Sequence, residues 1–206
     1  MFDQTLWFAA RGSGVVSLLM FTVSVCFGLV TVVRFWHESW PRFFNLEMHR
    51  RISLLSVVFL LVHIAASILD PFAKLGIDAA LVPFASTYRP LPMAFGVVAT
   101  YLIAALTITG LLRMRIPWRF WRPIHWTSYA MWPLALAHSI FSGSDEGSLW
   151  MDIVVIGCVV SVGACLAWRI SVWEQSHGHL EEVVANSSWP KNPPPRPDAR
   201  ADRGGR

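Results

Sequence analysis

Four histidines stand in apolar stretches of this sequence, as two pairs of nearly equal spacing. His49 and His63 are fourteen residues apart, and His125 and His138 are thirteen apart. Neutral imidazole is a common metal ligand, and ionisable side chains inside a hydrocarbon layer are costly and tied to function. The stretches around these rings offer few carboxylates to partner them. The chemistry on offer is ligation: two rings reaching one metal ion from opposite sides, and doing so twice.

The elements that must position these rings are membrane helices. The chain has 206 residues, of which 54% are hydrophobic and 15% charged, whereas soluble domains carry about 25% charged residues. Long uncharged runs predict an all-α membrane protein, a bundle of about five transmembrane helices. The spans are Gly14–Val33, Leu46–Leu69, Pro92–Leu112, Ile124–Phe141 and Leu149–Ile170. The first is bounded by Arg11 and Arg34, is too long for a signal-peptide core and lacks a small-residue cleavage site, so it is expected to stay. Its Ser24 and Gly28 offer a face where another helix can approach closely. Asp70 to Pro92 reads as a surface loop with one amphipathic piece, Lys74–Val82. From Ser171 the composition turns to Pro, Arg and Gly, predicting a disordered tail over 173–206 after a membrane domain over 1–172.

The formal charge of +4 speaks to topology, since no recognition-helix, zinc-finger or RNA-binding pattern accompanies it; no nucleic-acid partner is expected. Arg34, Arg42, Arg50 and Arg51 cluster on one connection and Arg113, Arg115, Arg119 and Arg122 on another. The remaining connections hold only Lys74 and Arg89. The positive-inside rule then places the N-terminus outside and the C-terminus in the cytoplasm. Cys26, Cys158 and Cys165, all in apolar spans, read as packed thiols rather than a disulfide framework.

Spans two and four, separated by one span, run parallel. His49 and His125 then lie toward the cytoplasmic face, His63 and His138 about 20 Å further out at about 1.5 Å per residue. Two cross-helix pairs follow, His49 with His125 and His63 with His138, each able to hold an iron by both axial positions. Fourteen residues return His63 to the face of His49, only about 40° short of four turns. Thirteen leave His125 and His138 about 140° out of phase on a straight helix. A distortion of span four is therefore expected, with Pro133 its predicted source. His37, His177 and His179 fall at interfaces or in the tail and carry no predicted site. The competing reading is a helical transporter or assembly subunit whose histidines only bridge helices.

The two spacings, with R-x-x-H-x-x-x-Y from Arg122 to Tyr129 and A-x-x-H-S after it, resemble the ferric reductase-like transmembrane domain. That family includes ferric reductases, NADPH oxidases and the haem-bearing membrane subunit of a bacterial periplasmic methionine sulfoxide reductase system. The resemblance covers residues 10 to 172 and implies two haem b groups, with His49 and His125 on the inner iron and His63 and His138 on the outer. It implies an oxidoreductase component in a bacterial plasma membrane, passing electrons to an outer-side acceptor. The family core often has six helices, and five are counted here. No Gly-rich dinucleotide motif follows the last span, so a separate flavoprotein reductase or a quinol is the expected donor. Arg50 and Arg122, with Arg51 and Arg119, are placed to pair with inner-haem propionates, since guanidinium suits carboxylates. Arg89 is the candidate on the outer side, and Trp126, Tyr129 and Trp132 are candidates for packing on porphyrin.

Overall fold

The computed structural model describes residues 2–32, 42–71, 75–143 and 147–186, with side chains over 4–31, 44–71, 75–143 and 147–175. Arg34, His37, Lys74 and the Pro-rich tail lie outside the described residues, as do the side chains of His177 and His179. All elements among the described residues are helical: α1 (Phe2–Val32), α2 (Arg42–Leu69), α3 (Ile77–Leu81), α4 (Pro90–Leu111), α5 (Trp118–Trp126), α6 (Ser128–Ser142) and α7 (Leu149–Asn186). Within α1, α2, α4 and α7, four stretches are long and apolar enough to cross a membrane: Gln4–Thr31, Phe44–Leu69, Pro90–Leu111 and Leu149–Gln175. The protein is an all-α membrane protein.

Two helix pairs carry the site: α1 packs along α2, and α4 along α6. The first pair is antiparallel in a seven-residue register, because Ala10 meets His63, Ser17 meets Ser56 and Ser24 meets His49. Small hydroxyl residues line this seam. Ser17 Oγ donates to the Ser56 carbonyl at 3.1 Å, and Ser24 and Ser53 share a 2.6 Å bond. Ser56 is fully buried. Small side chains let membrane helices approach closely and bond across the gap. Between the pairs, Leu18 and Phe21 of α1 pack with Leu136 and Met131 of α6.

Three boundaries differ from expectation. The first span begins well before Gly14, and Arg11 lies inside α1. Its guanidinium stacks over Trp7 at 4.0 Å, so a cation tolerated by an aromatic neighbour did not end the helix. Span four is divided: the connection expected over Ile116–Pro123 is mostly α5, and the break falls at Thr127 rather than Pro133. There the Thr127 N–H bonds the Ile124 carbonyl at 3.0 Å and the Thr127 Oγ1 bonds the same oxygen at 2.7 Å. Pro133 is accommodated within α6. The third difference is α7, which stays helical to Asn186, beyond the composition change at Ser171. The chain divides into two units, residues 1–169 and 170–206. All of the candidate site belongs to the first.

Candidate metal-ligating site

The tight turn at Thr127 bears directly on the phase of the two histidines that flank it. A turn closed by i→i+3 bonds advances about 120° per residue, against about 100° in an α-helix. It closes part of the gap that a straight span would leave. The result is two cross-helix ring pairs. His49 faces His125 with ring centres 6.2 Å apart and planes at 74°. His63 faces His138 at 6.3 Å and 77°. Residues of α2 on one side and of α5 and α6 on the other thus repeat one geometry at two levels.

Three of the four rings have a polarity set by a backbone acceptor. A carbonyl can only accept, so an imidazole nitrogen bonded to one must carry the proton. His63 Nδ1 donates to the Ala10 carbonyl at 2.7 Å, His49 Nδ1 to Ser24 at 2.9 Å and His138 Nδ1 to Pro92 at 3.0 Å. That assignment leaves Nε2 of each ring deprotonated. Metal-ligating histidines are oriented in just this way, by an acceptor on the second nitrogen. His125 departs: its Nδ1 is buried without a hydrogen-bond partner among the described residues. It stacks instead on Trp121, ring centres 4.4 Å apart, and the Arg113 guanidinium covers Trp121 at 4.5 Å.

Glycine makes room for the rings. A β-carbon on Gly14 would come within 2.8 Å of His63, and one on Gly96 within 2.6 Å of His138. At Gly28 the nearest His49 atom would be 3.6 Å away, an ordinary contact. These glycines form a signal that sequence reading missed, apart from the close-approach face at Ser24 and Gly28. A cavity of about 460 Å³ opens beside His63 and His138, also lined by Gly14, Gly96, Ser67 and Asp70.

The two ring separations match the span that a shared metal would set. Two metal–nitrogen bonds of about 2 Å, and about 1.1 Å from each nitrogen to its ring centre, put the centres about 6 Å apart. Both observed separations agree with that span. No cluster of three or more His, Cys, Asp or Glu able to hold a metal occurs among the described residues, so only two side-chain ligands per ion are offered. A cofactor that brings the remaining ligands itself would suit such a set.

The other candidates divide. Arg50 and Arg122 are exposed, and Arg122 lies over Trp126 at 4.8 Å. Arg51 pairs with Glu47 at 2.7 Å, and Arg119 lies over Phe120. Arg89 donates to the Phe141 carbonyl at 2.6 Å, holding the end of α6. Trp126 is 58% exposed and Tyr129 49%, while Trp132 is packed inward between α1 and α6. Tyr129 Oη accepts from Arg169 at 2.7 Å.

The family described as the ferric reductase like transmembrane component matches residues 13–136, more than half of the chain. The chain belongs to this family. His49, His63 and His125 lie within the match, and His138 just beyond it. No curated protein and no solved structure gives a match. Membership makes transmembrane electron transfer the general role of the chain.

Proposed function

We propose that this protein is a dihaem cytochrome b that passes electrons across a membrane. The observation carrying the proposal is the repeated ring pair, 6.2 Å and 6.3 Å between centres. The Nδ1–H of three of the four rings is committed to backbone carbonyls. His49 and His125 would hold one haem b, and His63 and His138 the other, through neutral Nε2. Bound haem supplies reversible one-electron chemistry at iron. The chain's part is to orient the rings, exclude water and set the low-dielectric surroundings that tune potential. Arg50 and Arg122 flank the His49–His125 level and would neutralise propionate carboxylates there.

Under the positive-inside reading, the His49–His125 level faces the cytoplasm and the N-terminus lies outside. The donor would be a separate flavoprotein reductase or a membrane quinol, and the acceptor an outer-side redox partner. The test is the visible spectrum of detergent-purified protein, oxidised and dithionite-reduced, with haem quantified as pyridine haemochrome. Low-spin haem b at about two per chain is the expected result. Colourless protein from haem-replete cells overturns the proposal and returns the histidines to structural or transport roles.

A further inference from the structure

Three of the four imidazoles sit in the same local device. His63 donates to the carbonyl of Ala10, and its ring lies against Gly14; His138 donates to Pro92 and lies against Gly96. His49 donates to Ser24 and lies near Gly28. In each case the glycine follows the accepting residue by four, so carbonyl and glycine share one helix face. On α1 the two devices are fourteen residues apart, Ala10/Gly14 and Ser24/Gly28. Fourteen residues beyond Pro92/Gly96, on α4, stand Leu106 and Gly110. That position is in register for a fourth device, at the level of His125.

His125 does not occupy it here. A β-carbon on Gly110 would meet nothing within 4 Å, while His125 Nδ1 is buried without an acceptor. A device without a ring and a ring without a device lie at the same end of α4. Arg113, three residues past Gly110, already covers the Trp121 ring on which His125 stacks. The other three histidines are followed four residues later by Ser53, Ser67 and Ser142, whereas His125 is followed by Tyr129. His125 also lies across the Thr127 turn from the body of α6, the one break in the helices that carry the rings.

We infer that Leu106 and Gly110 are the positioning residues of His125. In the haem-loaded protein its ring still faces His49, lies against Gly110 and donates Nδ1–H to the Leu106 carbonyl. The inference rests on the proposed haem function and adds two residues to that site. It makes all four ligands equivalent in their hydrogen bonding, which raises ligand basicity and fixes ring orientation.

The experiment is Gly110→Val, with Gly12→Val as control, because neither glycine has a neighbour within 4 Å in this structure. Haem per chain, the low-spin electron paramagnetic resonance signals and the two midpoint potentials are read on purified full-length protein. The expected result is loss of one haem, or its conversion to high spin, with the His63–His138 signal unchanged and the control at two haems. Gly110→Ala is expected to keep both haems while shifting only the His49–His125 potential. Both Gly110 variants matching wild type in spectrum and potential would overturn the inference and leave the dihaem function standing. A colourless wild type would instead overturn the function itself.

Discussion

Trp132 Nε1 donates to Thr22 Oγ1 at 3.0 Å, and the Thr22 hydroxyl in turn donates to the Leu18 carbonyl at 2.9 Å. This relay joins α6 to α1 between the two ring levels, since Trp132 falls between His125 and His138 in sequence. Thr22→Val keeps the shape of the side chain but leaves the indole N–H without its acceptor. The expected loss is about 1 kcal/mol, nearer about 0.6 kcal/mol if the interior of the bundle behaves as an average membrane interior. Trp132→Ala removes packing against both clusters as well and is expected to cost about 3–5 kcal/mol. Thermal unfolding in detergent measures both, and Thr22→Val equalling Trp132→Ala would show that the hydrogen bond dominates.

The glycines beside the rings should respond in a graded way. Gly14→Ala and Gly96→Ala place a methyl group at 2.8 Å and 2.6 Å from imidazole atoms, too close without movement of the ring. Each is expected to displace one ligand of the His63–His138 pair and to lower haem from two to one per chain. Gly28→Ala meets His49 at 3.6 Å and is expected to retain both haems. Pyridine haemochrome on the three variants decides the order, and equal loss at Gly28 would show that the close contacts are not what matters.

Much of this arrangement was legible in the sequence, and the reason is periodicity. The fourteen-residue spacing of His49 and His63 keeps one face over four turns, so their placement on a common face followed from helix geometry alone. Pairing across helices followed from the matched separation on the partner span. The position of the distortion did not follow. Pro133 was the expected culprit because proline removes a backbone donor, yet the helix accommodates it and tightens at Thr127, whose hydroxyl also bonds the Ile124 carbonyl. Arg11 looked like a membrane boundary because a charge count cannot see its stacking on Trp7. The ring-cradling glycines were hidden for a different reason. On α1, Gly14 and Gly28 lie beside rings in a fourteen-residue repeat that mirrors His49 and His63, and it becomes visible only when helices are compared by register.

Arg50 and Arg122 give the third prediction. Both are exposed beside the His49–His125 level, where a positive charge favours reduced, less positive iron. Arg50→Gln and Arg122→Gln are expected to lower the potential of that haem and to leave the other unchanged. Glutamine also removes the two-pronged guanidinium and is expected to weaken haem retention; lysine keeps the charge but not the fork, so it should restore potential better than retention. Potentiometric titration with haem quantification separates the two effects. A shift confined to the His63–His138 haem would assign these arginines to the wrong level.

The last prediction uses non-additivity to test the pairing itself. If two rings share one iron, removing either should remove the same haem, and removing the second should add little. His63→Ala, His138→Ala and the double variant are therefore expected to hold about one haem per chain alike. His49→Ala and His125→Ala should behave the same way, with the other haem remaining. A cross-level combination, His49→Ala with His63→Ala, should hold none, although it also removes only two rings. The two helix pairs give this contrast its force, because His49 and His63 share α2 while their partners lie on α5 and α6. Loss that followed the helix rather than the level would mean that the 6.2 Å and 6.3 Å separations arise from packing alone. Loss that followed the level would identify each facing pair as one iron site.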